Sequence, residues 1–198
     1  MSKRLFDLLL SASALLILSP LLLAAGIAVR LDSAGPAVFR QVRVGRGGRP
    51  FRILKFRTMA TAQGPDMPLL TAAGDARVTR VGALLRRSKL DELPQLLNVL
   101  WGDMSLVGPR PEVPTYVALY PPQLRDLILS VRPGITDEAS IEFRNESDLL
   151  AGAADPEKRY LEEILPHKLE IYARYARERS FGGDLRILLR TIGRVVRQ

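Results

Sequence analysis

LLLSASALLILSPLLLAAGIAV, residues 8–29, carries no charge over 22 residues, and its reading decides the architecture. As a helix rising about 1.5 Å per residue it is long enough to cross a hydrocarbon core roughly 30 Å thick. Three readings compete: a cleaved signal peptide, a spanning helix, and a helix that dips into the bilayer and returns. A signal peptide needs a shorter apolar region and a clear small-residue cleavage site, and neither is found here. Ser19-Pro20 lies near the middle of the run. Proline removes one backbone hydrogen bond and crowds the preceding turn, while the serine hydroxyl can satisfy the freed carbonyl, so the pair makes a kink that lipid tolerates. Lys3 and Arg4 precede the segment, and Arg30, Arg40, Arg43 and Arg46 follow it. Positive charge marks the cytoplasmic side. A straight span puts one basic cluster on the wrong side, and a hairpin-like helix with both ends in the cytoplasm does not. On these residues alone the dip and a Pro-kinked span both stand.

The remaining composition narrows the chemistry. The 198 residues suffice for one domain with a real core. Lys and Arg total 29 against 21 Asp and Glu, a net charge of +8. Up to residue 57 there are ten basic residues and two acidic ones, Asp7 and Asp32. Such a field draws phosphates, whether on nucleotides, nucleic acid or anionic lipid. Cysteine is absent and His167 is the one histidine, which excludes disulfide frameworks, thiolate sites and multi-histidine sites. A metal, if bound, is held by oxygen, which favours Mg²⁺ or a relative.

GPAVFRQVRVGRGGRPFRILKFRTM, residues 35–59, reads as two β-rich runs around a Gly-rich turn, hence a hairpin. Most of its arginines fit a solvated basic face on anionic headgroups. Lys55 and Arg57 alternate with Leu54, Phe56 and Thr58, which puts both on one face of a strand, where two cations suit a phosphate. Residues 60–76 read as a loop. A short helix ending at Arg86-Arg87 and a second helix follow, then a helical region over 114–130, a turn over 131–136, and one or two amphipathic helices over 155–180 broken near Pro166. DLRILLRTIGRVVRQ, residues 184–198, has the pattern of a basic amphipathic helix, fit either for a membrane interface or for packing on the core. The predicted fold is α+β and mostly helical, with a membrane helix over 1–32, dipping or spanning, and a domain with amphipathic helices over 33–198.

SKLDELPQLLNVLWGDMSLVGPRPE, residues 88–112, sets Asp91 and Glu92 side by side at a helix start. Ser88-x-x-Asp91 fits a capping box. Alternatively Asp91 is the N-cap and Pro94 falls in the first turn, where its missing amide is harmless. Either register puts the carboxylates at the positive end of a helix dipole, which favours the ionised forms. With Arg86, Arg87 and Lys89 they compose either a surface ion cluster or a site. A carboxylate pair able to hold Mg²⁺, several arginines, and Arg110 stiffened between Pro109 and Pro111 are the parts that a diphosphate site requires.

Ser19-Pro20, KFRTM (55–59), LDELPQLLNVLWGDMSLVGPRPE (90–112) and RPGIT (132–136) together resemble the monotopic phosphoglycosyl transferases, bacterial sugar transferases, in order and spacing from about residue 3 to residue 145. The resemblance implies transfer of a phosphosugar from a UDP-sugar to a polyprenol phosphate, usually undecaprenyl phosphate, with release of UMP. It implies Asp91 as nucleophile, Glu92 as metal holder or proton handler, and Mg²⁺ held by Asp91 and Glu92. By the same match Lys55, Arg86, Arg110, Arg132 and Arg144 are donor contacts, joined by Arg57 from the strand-face reading. It further implies a re-entrant helix in the bacterial inner membrane with the catalytic domain on the cytoplasmic face, lipid as a partner, and room for a homodimer. The chain departs from the family after RPGIT, where many members continue with Gly-Trp-Ala-Gln and this one reads DEASIEFRNE. Asp137, Glu138 and Glu142 there either read sugar hydroxyls or are solvated. A membrane-tethered nucleic-acid binder is the competing class. It is weakened by the scarcity of aromatics beside the arginines and leaves the acidic pair unexplained. A scaffold subunit without turnover is a third.

Overall fold

The computed structural model describes residues 3–60 and 74–196. Helix α1, Lys3–Asp32, continues through Pro20. The Leu16 carbonyl, which loses its amide partner at Pro20, accepts from the Ser19 hydroxyl at 2.8 Å, the substitution that the Ser-Pro pair predicts. Asp7, Ser11, Ala25 and Val29 are buried along one face, while Leu9, Leu16, Ile17, Leu23 and Ile27 are exposed. Among the described residues α1 is the one helix long and apolar enough to cross a membrane.

Both ends of α1 are tied to the rest of the chain. At its start Arg4 donates to the carbonyls of Val99 (2.7 Å) and Leu100 (3.2 Å), the Ser105 hydroxyl donates to Asp7 (2.8 Å), and Lys3 pairs with Asp184 (2.6 Å). At its end the Arg57 guanidinium donates to the carbonyls of Val29, Ser33 and Ala34, and Asp32 accepts from the Val81 amide at 3.0 Å.

The expected hairpin is present as β1, Val38–Val44, and β2, Pro50–Phe56, antiparallel, with Gly47 and Gly48 at positive φ in the turn. Helix α2, Arg80–Arg87, is N-capped by the Thr79 hydroxyl, which accepts from the Gly82 amide. Neither predicted register holds for the acidic pair. Ser88 closes α2 instead, its hydroxyl donating to the Leu84 carbonyl at 2.8 Å. Lys89 then takes a left-handed conformation (φ 57°) that turns the chain into a single 3-10 turn over Leu90–Glu92, and α3, Gln95–Trp101, begins only after Pro94. Pro94 stands outside the helix, so its missing amide breaks no α-helical bond. Buried Asn98 accepts from the Leu54 amide (3.0 Å) and donates to the Arg52 carbonyl (2.9 Å), serving β2 as a neighbouring strand would.

The predicted turn over 131–136 is partly a strand. β3, Ser105–Val107, pairs in parallel with β4, Gly134–Thr136. The pairing depends on bare backbone: a Cβ on Gly134 would stand 2.1 Å from the Gly108 amide nitrogen, and one on Gly108 2.4 Å from the Arg132 carbonyl oxygen. Between these strands lie α4, Pro114–Val117, and α5, Pro122–Leu129, in place of one helical region. After β4 come α6, Glu138–Glu142, and α7, Glu146–Ala151. The break expected near Pro166 is a π-helical segment, Tyr160–Ile164, joining α8, Pro156–Arg159, to α9, Leu165–Glu178; Pro166 has no amide for the Glu162 carbonyl. Helix α10, Phe181–Val196, buries Ile187 and exposes Leu185, Leu189 and Ile192. Of the loop expected over 60–76, residues 61–73 lie outside the described residues.

Gly134→Ala should cost about 3 kcal/mol or more, because backbone on both sides must move to admit one methyl group. Thermal unfolding in detergent checks this, and an unchanged melting temperature would contradict the close approach of β3 and β4.

Candidate active site

The turn that carries Asp91 is fixed from beneath. Leu90 packs on Ala25 and Val29 of α1, Phe56 of β2 and Leu85 of α2. Asp91 is 8% exposed, and its Oδ1 is buried without a hydrogen-bond partner. Glu92 faces two cations from distant segments. Its Oε1 accepts from Lys55 Nζ of β2 at 3.0 Å and from Arg110 Nη2, and its Oε2 accepts from Arg110 Nη1 at 3.3 Å. Arg86, on the last turn of α2, donates through Nε to the Thr58 hydroxyl at 2.8 Å. Lys55, Arg86, Asp91, Glu92 and Arg110 are thus brought together from four segments.

The two carboxyls are driven in opposite directions. Burial pushes Asp91 up from its usual value and the Glu92 charge adds to this, against Lys55, Lys89 and Arg110. Burial also acts to raise Glu92, but Arg110 and Lys55 outweigh it and hold this carboxyl well below the usual range. Glu92 in turn drives Arg110 upward, while Lys55 and Arg86 are lowered by burial against the pull of Glu92 and Asp91 respectively. The expected helix dipole does not set the two acids, since they stand in a 3-10 turn: Glu92 is neutralised by contact, and Asp91 is the acid with an idle oxygen in a cationic shell. Chemically such an arrangement can receive a multiply charged anion beside a carboxylate that has an oxygen to spare.

Three predicted donor contacts stand elsewhere. Arg57 is 5% exposed, and its guanidinium caps the C-terminus of α1 rather than sharing a face with Lys55. Its strand ends at Phe56, so the alternation that predicted a common face stops one residue short. Arg132 donates to the Gly102 carbonyl at 3.0 Å, at the far end of α3 from the acidic pair, about 10 Å along a seven-residue helix. Arg144 donates to the Arg194 carbonyl near the end of α10 at 3.2 Å. Asp137 is neither solvated nor free: it is 2% exposed and caps α6 through the Ser140 amide (2.9 Å) and hydroxyl. Burial pushes it up, with Ser140 and Arg110 pulling the other way. Glu138 pairs with Arg174 (3.2 Å) and Glu142 with His167 (2.8 Å). Sequence reading gave no site role to Arg43 or Glu112, which meet beside Arg110; along the hairpin Arg43 reads as one more of many arginines, and nothing local marks its partner 69 residues on.

For Mg²⁺, Asp91 fits. Its carboxylate offers two hard oxygens, and an ion held by one would leave the other free to act, with phosphate oxygens and water completing the shell. Both Glu92 oxygens are engaged, so Glu92 would have to release Arg110 or Lys55 to share an ion. Among the described residues no group of three or more acidic or histidine side chains is gathered for a metal.

The bacterial sugar transferase family model matches residues 1–198, and the chain belongs to that family. It is 42% identical over 193 residues to a UDP-glucose:undecaprenyl-phosphate glucose-1-phosphate transferase of Caulobacter vibrioides, covering 96% of this chain and 68% of that protein. A Klebsiella pneumoniae protein of the same name is 39% identical over 193 residues, 96% of this chain and 39% of that protein. A UDP-N-acetylgalactosamine-undecaprenyl-phosphate N-acetylgalactosaminephosphotransferase of Aeromonas hydrophila is 45% identical over 141 residues, 70% of this chain and 33% of that protein. The chain thus spans about two fifths or less of the length of several curated relatives and about two thirds of the Caulobacter one.

Arg57→Met should lower stability by about 2–3 kcal/mol, since a charged donor is withdrawn from buried carbonyls. That corresponds to a fall of roughly 5–10 °C in melting temperature for a chain of this size. A melt identical to wild type would show that the cap on α1 contributes nothing.

Proposed function

We propose that the chain transfers a phosphosugar from a UDP-sugar to undecaprenyl or a related polyprenol phosphate, giving polyprenol diphosphate sugar and UMP, through a covalent intermediate on Asp91. The observation that carries this reading is the buried, unpartnered Asp91 oxygen set among Lys55, Arg86, Lys89 and Arg110. Such an oxygen has no hydrogen bond to give up before it attacks. In the first step it forms a bond to the sugar-bearing phosphorus while the bond from that phosphorus to UMP breaks, and UMP leaves with the electron pair. In the second, an oxygen of the lipid phosphate attacks the same phosphorus and the bond to Asp91 breaks, restoring the carboxylate. Arg110 and Lys55 meet the diphosphate charge; until donor arrives, Glu92 keeps these two cations from repelling one another. Mg²⁺ at Asp91 would neutralise diphosphate charge so that an anionic nucleophile can approach. The family membership and the relatives' names support a UDP-sugar donor and an undecaprenyl phosphate acceptor.

Asp91→Asn should abolish UMP release by at least about 10³-fold while UDP-sugar binding changes by less than about threefold. Donor alone should leave a phosphosugar on the wild-type peptide containing Asp91, found by mass spectrometry. Turnover by Asp91→Asn equal to wild type would remove Asp91 from the reaction.

For the membrane we infer a segment that enters and leaves on one face, in the bacterial inner membrane with the catalytic domain in the cytoplasm. Support comes from the ties at both ends of α1 to one body, Lys3, Arg4 and Asp7 at one end and Val29 and Asp32 at the other. A straight span would put those two sets of ties on opposite sides of the bilayer. Single cysteines replacing Leu5 and Ala34 in this cysteine-free chain should both be labelled by an impermeant thiol reagent in inside-out vesicles and both be protected in right-side-out ones. Labelling of the two positions from opposite sides would establish a span.

A further inference from the structure

We propose that Arg43 is a positioning residue for Arg110: it clamps the Pro-Arg-Pro turn from β1 and so fixes where the Arg110 guanidinium stands. Arg43 Nη1 donates to the Pro111 carbonyl at 3.1 Å and to Glu112 Oε2 at 3.2 Å. Its Nε and Nη2 both donate to the Gln41 side-chain oxygen, at 3.1 and 2.7 Å. Glu112 is 8% exposed and accepts a further bond from the Tyr160 hydroxyl at 2.9 Å, while its carbonyl accepts from the Val44 amide at 2.9 Å. On the other side of Arg110, the Gly134 amide donates to the Pro109 carbonyl at 2.9 Å. The turn is therefore held at Pro109 by β4 and at Pro111–Glu112 by β1, with Arg110 projecting between the two anchors.

This clamp matters most when substrate binds. In the free protein Glu92 holds the Arg110 guanidinium directly. A diphosphate competes for the same donors, and what then keeps Arg110 in place is its backbone. The two prolines fix φ at positions 109 and 111, but the height of the turn above the site is set by the hydrogen bonds to its carbonyls. Arg43 is not itself placed to take the phosphate: Nε, Nη1 and Nη2 are all engaged with Gln41, Pro111 and Glu112. Its charge also repels Arg110, and Glu112 offsets that repulsion.

The proposal rests on the donor reading above, so its test has one readout that needs no donor. Modification of Arg110 by phenylglyoxal, followed peptide by peptide in the detergent-solubilised full chain carrying Glu92→Gln, so that the carboxylate no longer holds the guanidinium, should be about tenfold faster when Arg43→Met is added, with Arg43→Lys in between. UDP-sugar binding should weaken about tenfold in Arg43→Met, a displacement of the order of 1 Å at a site of this kind costing up to about a hundredfold. In the Arg110→Met background the Arg43→Met change should cost nothing further, since coupled residues are not additive. Glu112→Gln, which retains an oxygen for Tyr160 and removes the charge facing Arg43, should repeat the Arg43→Met pattern more weakly and serves if Arg43→Met does not fold. An unchanged Arg110 modification rate, or binding losses that add fully in the double variant, would overturn the clamp. Absence of UDP-sugar binding by wild type would overturn the donor reading, with the modification rates then deciding the clamp by themselves.

Discussion

Glu92 lies between Lys55 and Arg110, and the rest of the site is arranged around that contact. Two cations from segments 55 residues apart cannot approach one another in a half-buried place unless a negative charge lies between them. Glu92 supplies it, and β2, the 3-10 turn and the Pro-Arg-Pro turn converge on one carboxylate. Asp91 is placed by the same convergence. It shares the turn and the cationic surroundings but not the hydrogen bonds, which leaves it buried with an idle oxygen. One carboxyl secures the cations and its neighbour stays available, a division of labour produced by environment rather than by residue type.

The site is attached to the apolar helix α1 through packing and polar contacts of ordinary kinds. Leu90, beside Asp91, packs against the cluster that joins Ala25 and Val29 to Phe56 and Leu85. Arg57 caps the end of α1 one residue beyond the strand that carries Lys55. At the other end Asp7 is buried against Ser105 at the start of β3, and Lys3 reaches Asp184 on α10. At the C-terminal end of α1 these ties involve the turn that carries Asp91 and the strand that carries Lys55. The proposed transfer between a soluble nucleotide and a lipid phosphate would use such an arrangement, since both substrates would have to reach one carboxylate near the apolar helix.

Some elements were legible because their cause is local. Glycines at 47 and 48 mark the hairpin turn, the Ser19 hydroxyl answers the amide missing at Pro20, and hydropathy alone marks α1. The identity of the acidic pair and of Arg110 was legible through motif resemblance, with Lys55 and Arg86 beside them. What misled were arguments from regular geometry. Alternation along β2 put Arg57 beside Lys55, but the strand ends at Phe56. Capping rules offered two helix starts at Ser88 or Asp91, and a left-handed Lys89 makes neither. The strand at Gly134–Thr136 is three residues long and exists because it pairs with Ser105–Val107, so no periodicity within it could announce it.

The amino-acid sequence by itself determined that this chain has an apolar helix flanked by basic residues, a basic hairpin, oxygen as its only metal-binding chemistry and a carboxylate pair followed by a stiffened arginine. These follow from composition, from hydropathy and from turn residues, which act over a few positions. Only the tertiary structure decided which cations stand at the carboxylates, which of the two acids is neutralised, that Arg57 and Arg132 cap helix ends, and that Arg43 and Glu112 brace the turn carrying Arg110. Each of these depends on side chains tens of residues apart meeting at about 3 Å, and such meetings are set by how elements pack, where glycine lets backbones touch and where burial forces every charge to find a partner.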